Sequence, residues 1–415
     1  MAAIEVFRRL TGDGEASNAA EARNGLRHAA SLAMTKVADG LIDPKLVLSW
    51  LLTALGAPSV FIAALVPLRE AGALLPQIIL AGWVARMKQR KWAWAGGSAV
   101  QGAAAAGIAM VALLLQGWAA GLAVCAALAL LALARAMCSV SYKDILGKTV
   151  GETRRGAITG LAGSAAAAGV ILFALLLLSG LGRSVALVAG AIGLAACLWF
   201  AAAALFSTLE EEDSEPAEGG GGLDFSILKG NRNLWRFILV RGLLVSTALA
   251  PPYLVMLTGG EGGQLGQLGA LVLASAVASL VSSWVWGRLA DRSSRRVLMA
   301  VSAIGAAAMV AAVALAWAGL AQQVWAMPAV LFVLMIAYHG VRQGRSTYLV
   351  DIAPEDARSA WAAVANTVIG TLLLAAGALS GALSLLGPQA VLLLFAAMAL
   401  AALPAALGLE EAEGD

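Results

Sequence analysis

The stretch Gly287-Arg-Leu-Ala-Asp-Arg-Ser-Ser-Arg-Arg296 separates two long apolar runs and carries four arginines and one aspartate. A weaker copy, Gly82-Trp-Val-Ala-Arg-Met-Lys-Gln-Arg-Lys91, lies 205 residues earlier, so that Gly82 corresponds to Gly287 and Arg90 to Arg295. A basic hairpin at the same point in each half of an apolar chain predicts a duplicated helical membrane domain.

The composition agrees with a membrane protein. Hydrophobic residues make up 60% of the 415 residues and charged residues 13%, whereas soluble domains carry roughly 25% charge. The apolar residues form runs of about 20, the length of a bilayer-spanning helix, and the alternating ten-residue segments of a membrane β-barrel are absent. We therefore predict an all-α membrane protein.

Several classes of function have no motif in this chain. The three cysteines, Cys125, Cys138 and Cys197, fall inside apolar runs and predict neither a disulfide framework nor a metal site. No phosphate-binding loop of the G-x-x-x-x-G-K-[ST] type is present. We expect no enzyme activity, no cofactor and no nucleic-acid partner.

Hydropathy divides the chain into twelve predicted spans, six on each side of the acidic and glycine-rich stretch 207–222. We interpret residues 207–232 as a flexible linker between bundles at 45–206 and 233–407, with cytoplasmic segments at 1–44 and 408–415. A tight turn is expected at Pro67. The predicted spans are Lys45–Val66, Ala71–Ala85, Trp94–Leu115, Ala119–Val140, Ala157–Leu178, Val185–Phe206, Leu234–Leu257, Leu268–Trp286, Val297–Leu315, Ala326–Val341, Ala360–Leu383 and Ala390–Leu407.

The distribution of positive charge predicts the orientation. Of 28 Lys and Arg residues, Arg135 and Arg241 lie within predicted spans, and only Arg69 and Arg183 fall on the outer side if the N-terminus is cytoplasmic. The remainder lie on the inner side, as the positive-inside rule requires. Both termini are therefore expected in the cytoplasm of a bacterial cell, with the chain in its inner membrane.

A second repeated element follows spans four and ten. Asp144 precedes Arg155 in the first half, and Asp351 precedes Arg358 in the second half. In each case an acid is followed by a short polar stretch and an arginine that opens the next helix. The offsets of about 205 residues support a duplication.

These motifs resemble those of the major facilitator superfamily, whose signature G-x-L-A-D-R-x-G-R-R joins spans two and three. Ser294 stands where the family has glycine, and Arg86 stands where the first copy would have aspartate. Arg135 resembles the family's fourth-span arginine, and span five lacks the Gly-Pro pair of the family's antiporters. The resemblance implies twelve helices in two six-helix repeats and transport by alternating access.

Charged residues inside a membrane need a role because each costs at least roughly 2.5–3.5 kcal/mol. The predicted spans contain no Asp or Glu in their interiors. Glu70, beside Arg69 at the expected outer start of span two, is either a proton or substrate site or an interfacial ion pair. Gln77 is a weaker candidate.

Four further candidates lie in spans. Arg135 is an anion-binding or proton-relay group, or else snorkels to the interface from about 9 Å at 1.5 Å per residue. Arg241 has the same alternatives, and His339 is a proton relay or a packed polar residue. Asn366 either binds substrate or pairs with a neighbouring helix.

The basic hairpins have two interpretations. Asp291 and Arg292 are expected to hold and release the inner gate, since aspartate accepts hydrogen bonds from arginine and from helix N-termini. The other motif residues either share that role or only set topology: Gly82, Arg90, Gly287, Arg295 and Arg296.

The sequence therefore predicts a monomeric secondary transporter of a small organic solute, anionic or zwitterionic, in a lipid bilayer. Protons are a possible coupling ion, and an uncoupled facilitator stays open. The alternative is a non-transporting assembly factor or sensor with the same fold, which the degraded first motif and the apparent lack of intramembrane carboxylates favour.

Overall fold

The computed structural model describes residues 2–11, 18–180, 185–215, 225–229, 231–259, 265–290, 292–354 and 357–411. Within these ranges the chain forms helices and no strand. The α-helices are α1 (Ala2–Thr11), α2 (Ala19–Leu41), α3 (Val47–Ala54), α4 (Ser59–Leu74), α5 (Gln77–Ala85), α6 (Lys91–Leu114), α7 (Gly117–Thr149), α8 (Glu152–Leu178), α9 (Val185–Ser207), α10 (Arg232–Leu243), α11 (Val245–Leu249), α12 (Pro251–Thr258), α13 (Leu265–Ala290), α14 (Ser294–Trp317), α15 (Ala326–Ile352), α16 (Arg358–Leu383) and α17 (Pro388–Leu407).

The helices form two similar halves. In the first half α6 packs against α7 and α9, and in the second half α14 packs in the same way against α15 and α17. Ten described helices, counting α10–α12 as one, are long and apolar enough to cross a membrane, and the bent pair of α4 and α5 makes eleven. With α2 and α3 packed among them, the arrangement is consistent with the predicted twelve.

The predicted bounds of the first two spans are wrong. Helix α3 ends at Ala54, and Gly56, with φ of 67°, makes the turn that leads to α4. Pro67 lies inside α4 rather than in a turn. A Cβ added at Gly377 of α16 would lie 2.2 Å from Pro67 Cγ, so the proline ring packs directly on that glycine.

Helix α2 belongs to the bundle. It packs against α8 and α9, and a Cβ added at Gly40 would lie 2.2 Å from Val170 Cγ2. Residues 28–40 of this helix, whose apolar side chains would also suit a membrane surface, therefore pack on the bundle. Hydropathy misses α2 because its buried face carries small and polar residues such as Ser31 and Ala38.

The bundle has two ends, which we call the linker face and the opposite face. The linker face holds residues 86–90, 208–215 and 408–411, and the opposite face holds 55–58, 115–116 and 384–387. The halves contact each other closely near the opposite face, where Ser384 Oγ donates to Ser59 Oγ at 2.9 Å. Helix α13 of the second half also packs closely on α8 of the first half at this end, since a Cβ added at Gly269 would lie 2.9 Å from Leu177 Cβ.

Residues 208–215, expected to be part of a flexible linker, are bound to the first half, while 216–224 lie outside the described residues. Leu209 and Glu211 are buried, and the Glu211 carboxylate accepts from the backbone N–H groups of Arg90 and Lys91 at 3.0 and 2.8 Å. We call residues 209–211 the first cap segment, because it covers the start of α6.

Glu210 of the first cap segment is exposed and bonds to α2. Its carboxylate accepts from Arg23 at 3.0 Å, and its backbone exchanges two hydrogen bonds with the Asn24 amide. The hydrogen bond from Arg23 lowers the pKa of Glu210. This contact therefore stabilises the fold above the ordinary glutamate range and is lost as pH falls through the lowered pKa.

The second half ends in the same way, at a second cap segment formed by residues 409–411. Arg295 donates to the Leu409 carbonyl at 3.1 Å and pairs with Glu411 at 2.9 Å. Tyr348 donates its hydroxyl to the Glu410 carbonyl at 3.0 Å. Both halves thus close with Leu-Glu-Glu against their own hairpin, a repeat absent from the sequence-based interpretation.

We expect Glu211→Ala to lower stability because it leaves two backbone donors and a buried site without their carboxylate. Glu212→Ala is the matched control, since Glu212 is exposed beside it. The loss should correspond to about 1–3 kcal/mol, visible as a lower apparent Tm of the detergent-solubilised protein. Equal Tm values for the two variants would contradict this role of the first cap segment.

Candidate functional site

Asp39 of α2 joins two arginines inside the first half. Its carboxylate accepts from Arg69 of α4 at 2.7 Å and from Arg135 of α7. The Asp39 and Arg69 side chains are 19% and 14% exposed, so this bridge is largely removed from solvent. The bridge fixes α2, α4 and α7 against one another, since each charge would be costly without its partner.

Lys45 lies close to this bridge and connects the two halves. It is buried, its Nζ is 3.8 Å from Glu70 Oε1, and it sits 3.7 Å from the centre of the Tyr338 ring of α15. Asp43 accepts from the Lys45 backbone N–H at 2.7 Å. Asp43 and Lys45 occupy the break between α2 and α3, where irregular backbone is tolerated inside protein.

The second half contributes cations to the same region. Arg241 of α10 is buried and donates to Asn366 Oδ1 of α16 at 2.8 Å. Arg342 lies 6.0 Å from the Tyr338 ring, and Arg345 joins Arg241 and Glu70 around a small cavity of about 30 Å³. This side of the interface therefore adds three guanidinium groups.

A larger cavity of about 290 Å³ lies between the halves. We call it the central cavity. Its walls come from α2 and α8 on one side and α13 and α15 on the other, and Asp43, Lys45, Tyr338, His339 and Arg342 supply its main polar groups. A buried cavity with a few converging polar groups is the usual form of a small-molecule site.

Positive charge exceeds negative charge around this region. The cationic side chains are Lys45, Arg69, Arg135, Arg241, Arg342 and Arg345. The carboxylates among the described residues are Asp39, Asp43 and Glu70. The excess is three positive charges, and all three carboxylates belong to the first half.

Several sequence-based expectations need correction here. Arg69 and Glu70 do not lie at an outer interface: they lie in α4 and pair with Asp39 and Lys45 inside the bundle. Arg135 does not snorkel, because α7 continues to Thr149 and places it about 21 Å from that end. The statement that the span interiors contain no Asp or Glu is wrong, which removes one argument for a non-transporting protein.

The remaining intramembrane candidates divide into two groups. Arg241 and Asn366 pair with each other between α10 and α16, so Arg241 does not snorkel. Gln77 donates to the Ala73 carbonyl of its own chain segment at 2.8 Å. His339 lines the central cavity, and its Nε2 has no hydrogen-bond partner among the described residues.

The motif residues lie at the linker face, away from the central cavity. Arg90 pairs with Asp144 at 2.5 Å, and Arg155 donates to the Gly147 carbonyl at 2.7 Å. Asp291 lies outside the described residues, so its proposed gating contact stays a prediction. Arg295 and Arg296 pair with Glu411, and Arg292 is exposed. Asp351 lies at the end of α15 and Arg358 at the start of α16. The remaining motif positions are Gly82 and Gly287.

Sequence reasoning missed Asp39, Asp43, Lys45, Tyr338 and Arg342. Hydropathy assigned Asp39 and Asp43 to a cytoplasmic segment and counted Lys45 and Arg342 as inner-loop charges. The sequence does contain a signal for these residues. Lys36, Asp39 and Asp43 recur at helical spacing, and small residues among them, such as Ala38 and Gly40, allow close helix packing.

Removing Asp39 should destabilise the first half. Asp39→Ala leaves two largely buried arginines without their shared carboxylate, so we expect a loss of about 2–3 kcal/mol and a lower apparent Tm. Asp213→Ala removes an exposed carboxylate that pairs only with Gln89 in the described structure and serves as control. An apparent Tm of Asp39→Ala equal to that of Asp213→Ala would contradict the role of the bridge.

Comparison with known proteins agrees with this architecture. Residues 245–414 match the family model of the Major Facilitator Superfamily. No curated protein sequence matches the chain.

Solved transporters share the fold over nearly the whole chain. A point mutant of the nucleoside transporter NupG superimposes with a TM-score of 0.67 and 13% identity, covering 93% of this chain and 100% of that one. A POT family transporter in complex with a thioalcohol-conjugated peptide gives 0.67 and 10%, covering 92% and 94%.

A POT family transporter in complex with 5-aminolevulinic acid gives a TM-score of 0.66 and 11% identity over 92% and 94% of the two chains. At these identities the likeness establishes the fold. Residues 245–414 are thus similar in sequence to the Major Facilitator Superfamily, and the chain shares the fold of solved membrane transporters over nearly its whole length.

Proposed function

We propose that the chain carries a small organic anion or zwitterion across the membrane by alternating access, with the central cavity as its substrate site. The observation that carries this proposal is the excess of three positive charges around the interface between the halves. Uncompensated charge inside a membrane is costly. A bound anion supplies the missing negative charge and so stabilises the loaded transporter.

Lys45 and Arg342 are the proposed anion-binding groups. They lie on opposite halves, and their charged groups are 3.7 and 6.0 Å from the centre of the Tyr338 ring. The Lys45 ammonium lies 3.8 Å from Glu70, longer than a direct hydrogen bond, so a substrate carboxylate competes with Glu70 for it. Asp43 at the cavity wall accepts from an amino group if the solute is zwitterionic.

The arrangement of contacts supports alternating access. The halves meet closely near the opposite face, at Ser59 and Ser384 and at Gly269 and Leu177. On the linker-face part of α8, a Cβ added at Gly156 or Gly160 meets nothing within 4 Å. The cavity is therefore proposed to open at the linker face, which the positive-inside rule assigns to the cytoplasm.

One of the solved transporters supports a solute with an amino and an acid group. One POT family transporter of this fold holds 5-aminolevulinic acid, whose name states an amino and an acid group. This chain offers both kinds of partner in one cavity, since Asp43 faces the same space as Lys45 and Arg342.

Proton coupling is proposed to use the carboxylates around Lys45. Glu70 lies 3.8 Å from this ammonium, and Asp43 accepts from the Lys45 backbone N–H, so movement of the Lys45 side chain toward a substrate leaves Glu70 less compensated and readier to take a proton. Substrate binding and protonation of Glu70 are then linked through one lysine, as coupling requires.

Replacing Arg342 should weaken substrate binding without unfolding the protein. We expect Arg342→Gln to reduce uptake of the substrate into proteoliposomes at least about tenfold, because a hydrogen bond to a charged group contributes roughly 1.5–3 kcal/mol. Thermal stabilisation by a panel of small acids and amino acids identifies the substrate beforehand.

Arg86→Gln is the matched control, because Arg86 is exposed in the loop after α5. Its uptake should equal that of the unaltered protein. Normal uptake by Arg342→Gln would refute the assignment of the central cavity, provided that both variants have the same apparent Tm.

The coupling proposal has its own test. With an inward proton gradient across proteoliposomes, the unaltered protein should concentrate substrate, while Glu70→Gln should only equilibrate it because the variant has no proton to exchange at this site. Glu212→Gln, an exposed change at the linker face, should still concentrate it. If the unaltered protein does not concentrate substrate in response to the proton gradient, the chain is an uncoupled facilitator.

A further inference from the structure

A second cavity of about 230 Å³ lies wholly inside the first half, between α2, α6, α7 and α8. It shares no lining residue with the central cavity. Ser139 and Lys143, both exposed, lie at its mouth, while Trp94 and Gln101 are buried deeper in its wall. It is therefore separate from the substrate site proposed above, and we call it the first-half cavity.

The charged side chains that line the first-half cavity are all cationic: Lys36, Arg135 and Lys143. Arg135 is paired with Asp39, but no carboxylate of the described residues pairs with Lys36 or Lys143. Lys36 donates to the Thr159 carbonyl at 3.2 Å, which is a neutral partner. The cavity thus has uncompensated positive charge and favours an anion.

The inner end of the same cavity carries polar groups without partners. Gln101 is 1% exposed. Its Nε2 lies 3.4 Å from the Gly97 carbonyl and from Cys138 Sγ, while its Oε1 has no partner within the described part of the chain. The buried hydroxyl of Tyr142 also has none. An unpaired buried acceptor costs about 1–3 kcal/mol, so a ligand with an N–H or O–H donor would relieve it.

We propose that the first-half cavity is a second binding site, for a small planar organic acid that also carries a hydroxyl group. The acid group lies toward Lys36 and Lys143, the hydroxyl donates to Gln101 Oε1, and the rings of Trp94 and Tyr142 line the space between. A volume of about 230 Å³ is below the ~300–1,000 Å³ of pockets for drug-sized ligands, which limits the ligand to a small molecule.

Cys138 lines the cavity and reports on it directly. Cys125→Ala with Cys197→Ala leaves Cys138 as the single thiol of the chain. In this background the anionic 2-sulfonatoethyl methanethiosulfonate should modify Cys138 about fivefold faster than the cationic 2-(trimethylammonio)ethyl reagent, because the cavity attracts anions. Intact-protein mass spectrometry measures both rates.

The charge dependence identifies the responsible lysines. Lys36→Gln combined with Lys143→Gln should bring the ratio of the two rates close to one, and Lys88→Gln, at an exposed loop position, should leave it unchanged. Equal rates for the two reagents before any lysine is changed, or no modification of folded protein, would overturn the proposal of an accessible anion site.

Ligand binding is tested by protection of Cys138 from the uncharged reagent methyl methanethiosulfonate. 4-Hydroxybenzoate should slow modification more strongly than benzoate, because only the former donates to Gln101. Gln101→Met should remove the difference in protection between the two acids, while its apparent Tm should equal that of the parent protein. Protection should persist in Arg342→Gln, whose defect lies in the central cavity, so failure of one site is distinguishable from failure of the other.

No protection by either acid would mean that the first-half cavity holds only water, and the proposal would fall. Equal protection by both acids would refute the proposed role of Gln101.

Discussion

The shared carboxylate of Asp39 is the interaction on which the rest of the structure depends. Two arginines inside a membrane bundle are costly, and one aspartate from a third helix stabilises both. This requirement draws α2 into the bundle although its sequence is too polar for an ordinary span. Once α2 is in place, Asp43 and Lys45 necessarily lie near the interface between the halves, and the central cavity acquires its charges.

The two halves share a fold but differ in electrostatics. The first half carries both signs, with carboxylates that compensate most of its own cations. Among the described residues, Arg241, Arg342 and Arg345 of the second half have no acidic partner from their own half around the cavity. The repeat therefore supplies the scaffold, and the differences between its copies supply the site. Lys45 of the first half lies between Glu70 of its own half and Tyr338 of the second half, so it contacts both charge distributions.

The fold could be predicted from the sequence because its signals are strong and repeated. The hairpins at Gly82 and Gly287 locate the duplication, and ten spans are apolar enough to find by hydropathy. The site could not be predicted in the same way, because an average over a window treats a paired charge as an exposed one. Asp39 and Lys45 look like loop residues until Arg69, Arg135 and Glu70 are brought to them by packing, and the helical path through Pro67 was hidden by the same local reasoning.

The two cap segments have a consequence for how the molecule is assembled. Each half ends by returning to its own basic hairpin, through Glu211 at Arg90 and Lys91 and through Glu411 at Arg295. Neither of these contacts involves residues of the other half, so each half is closed at its own end by its own residues. A duplicated six-helix unit would have this property, because each copy brings the residues that close its own end.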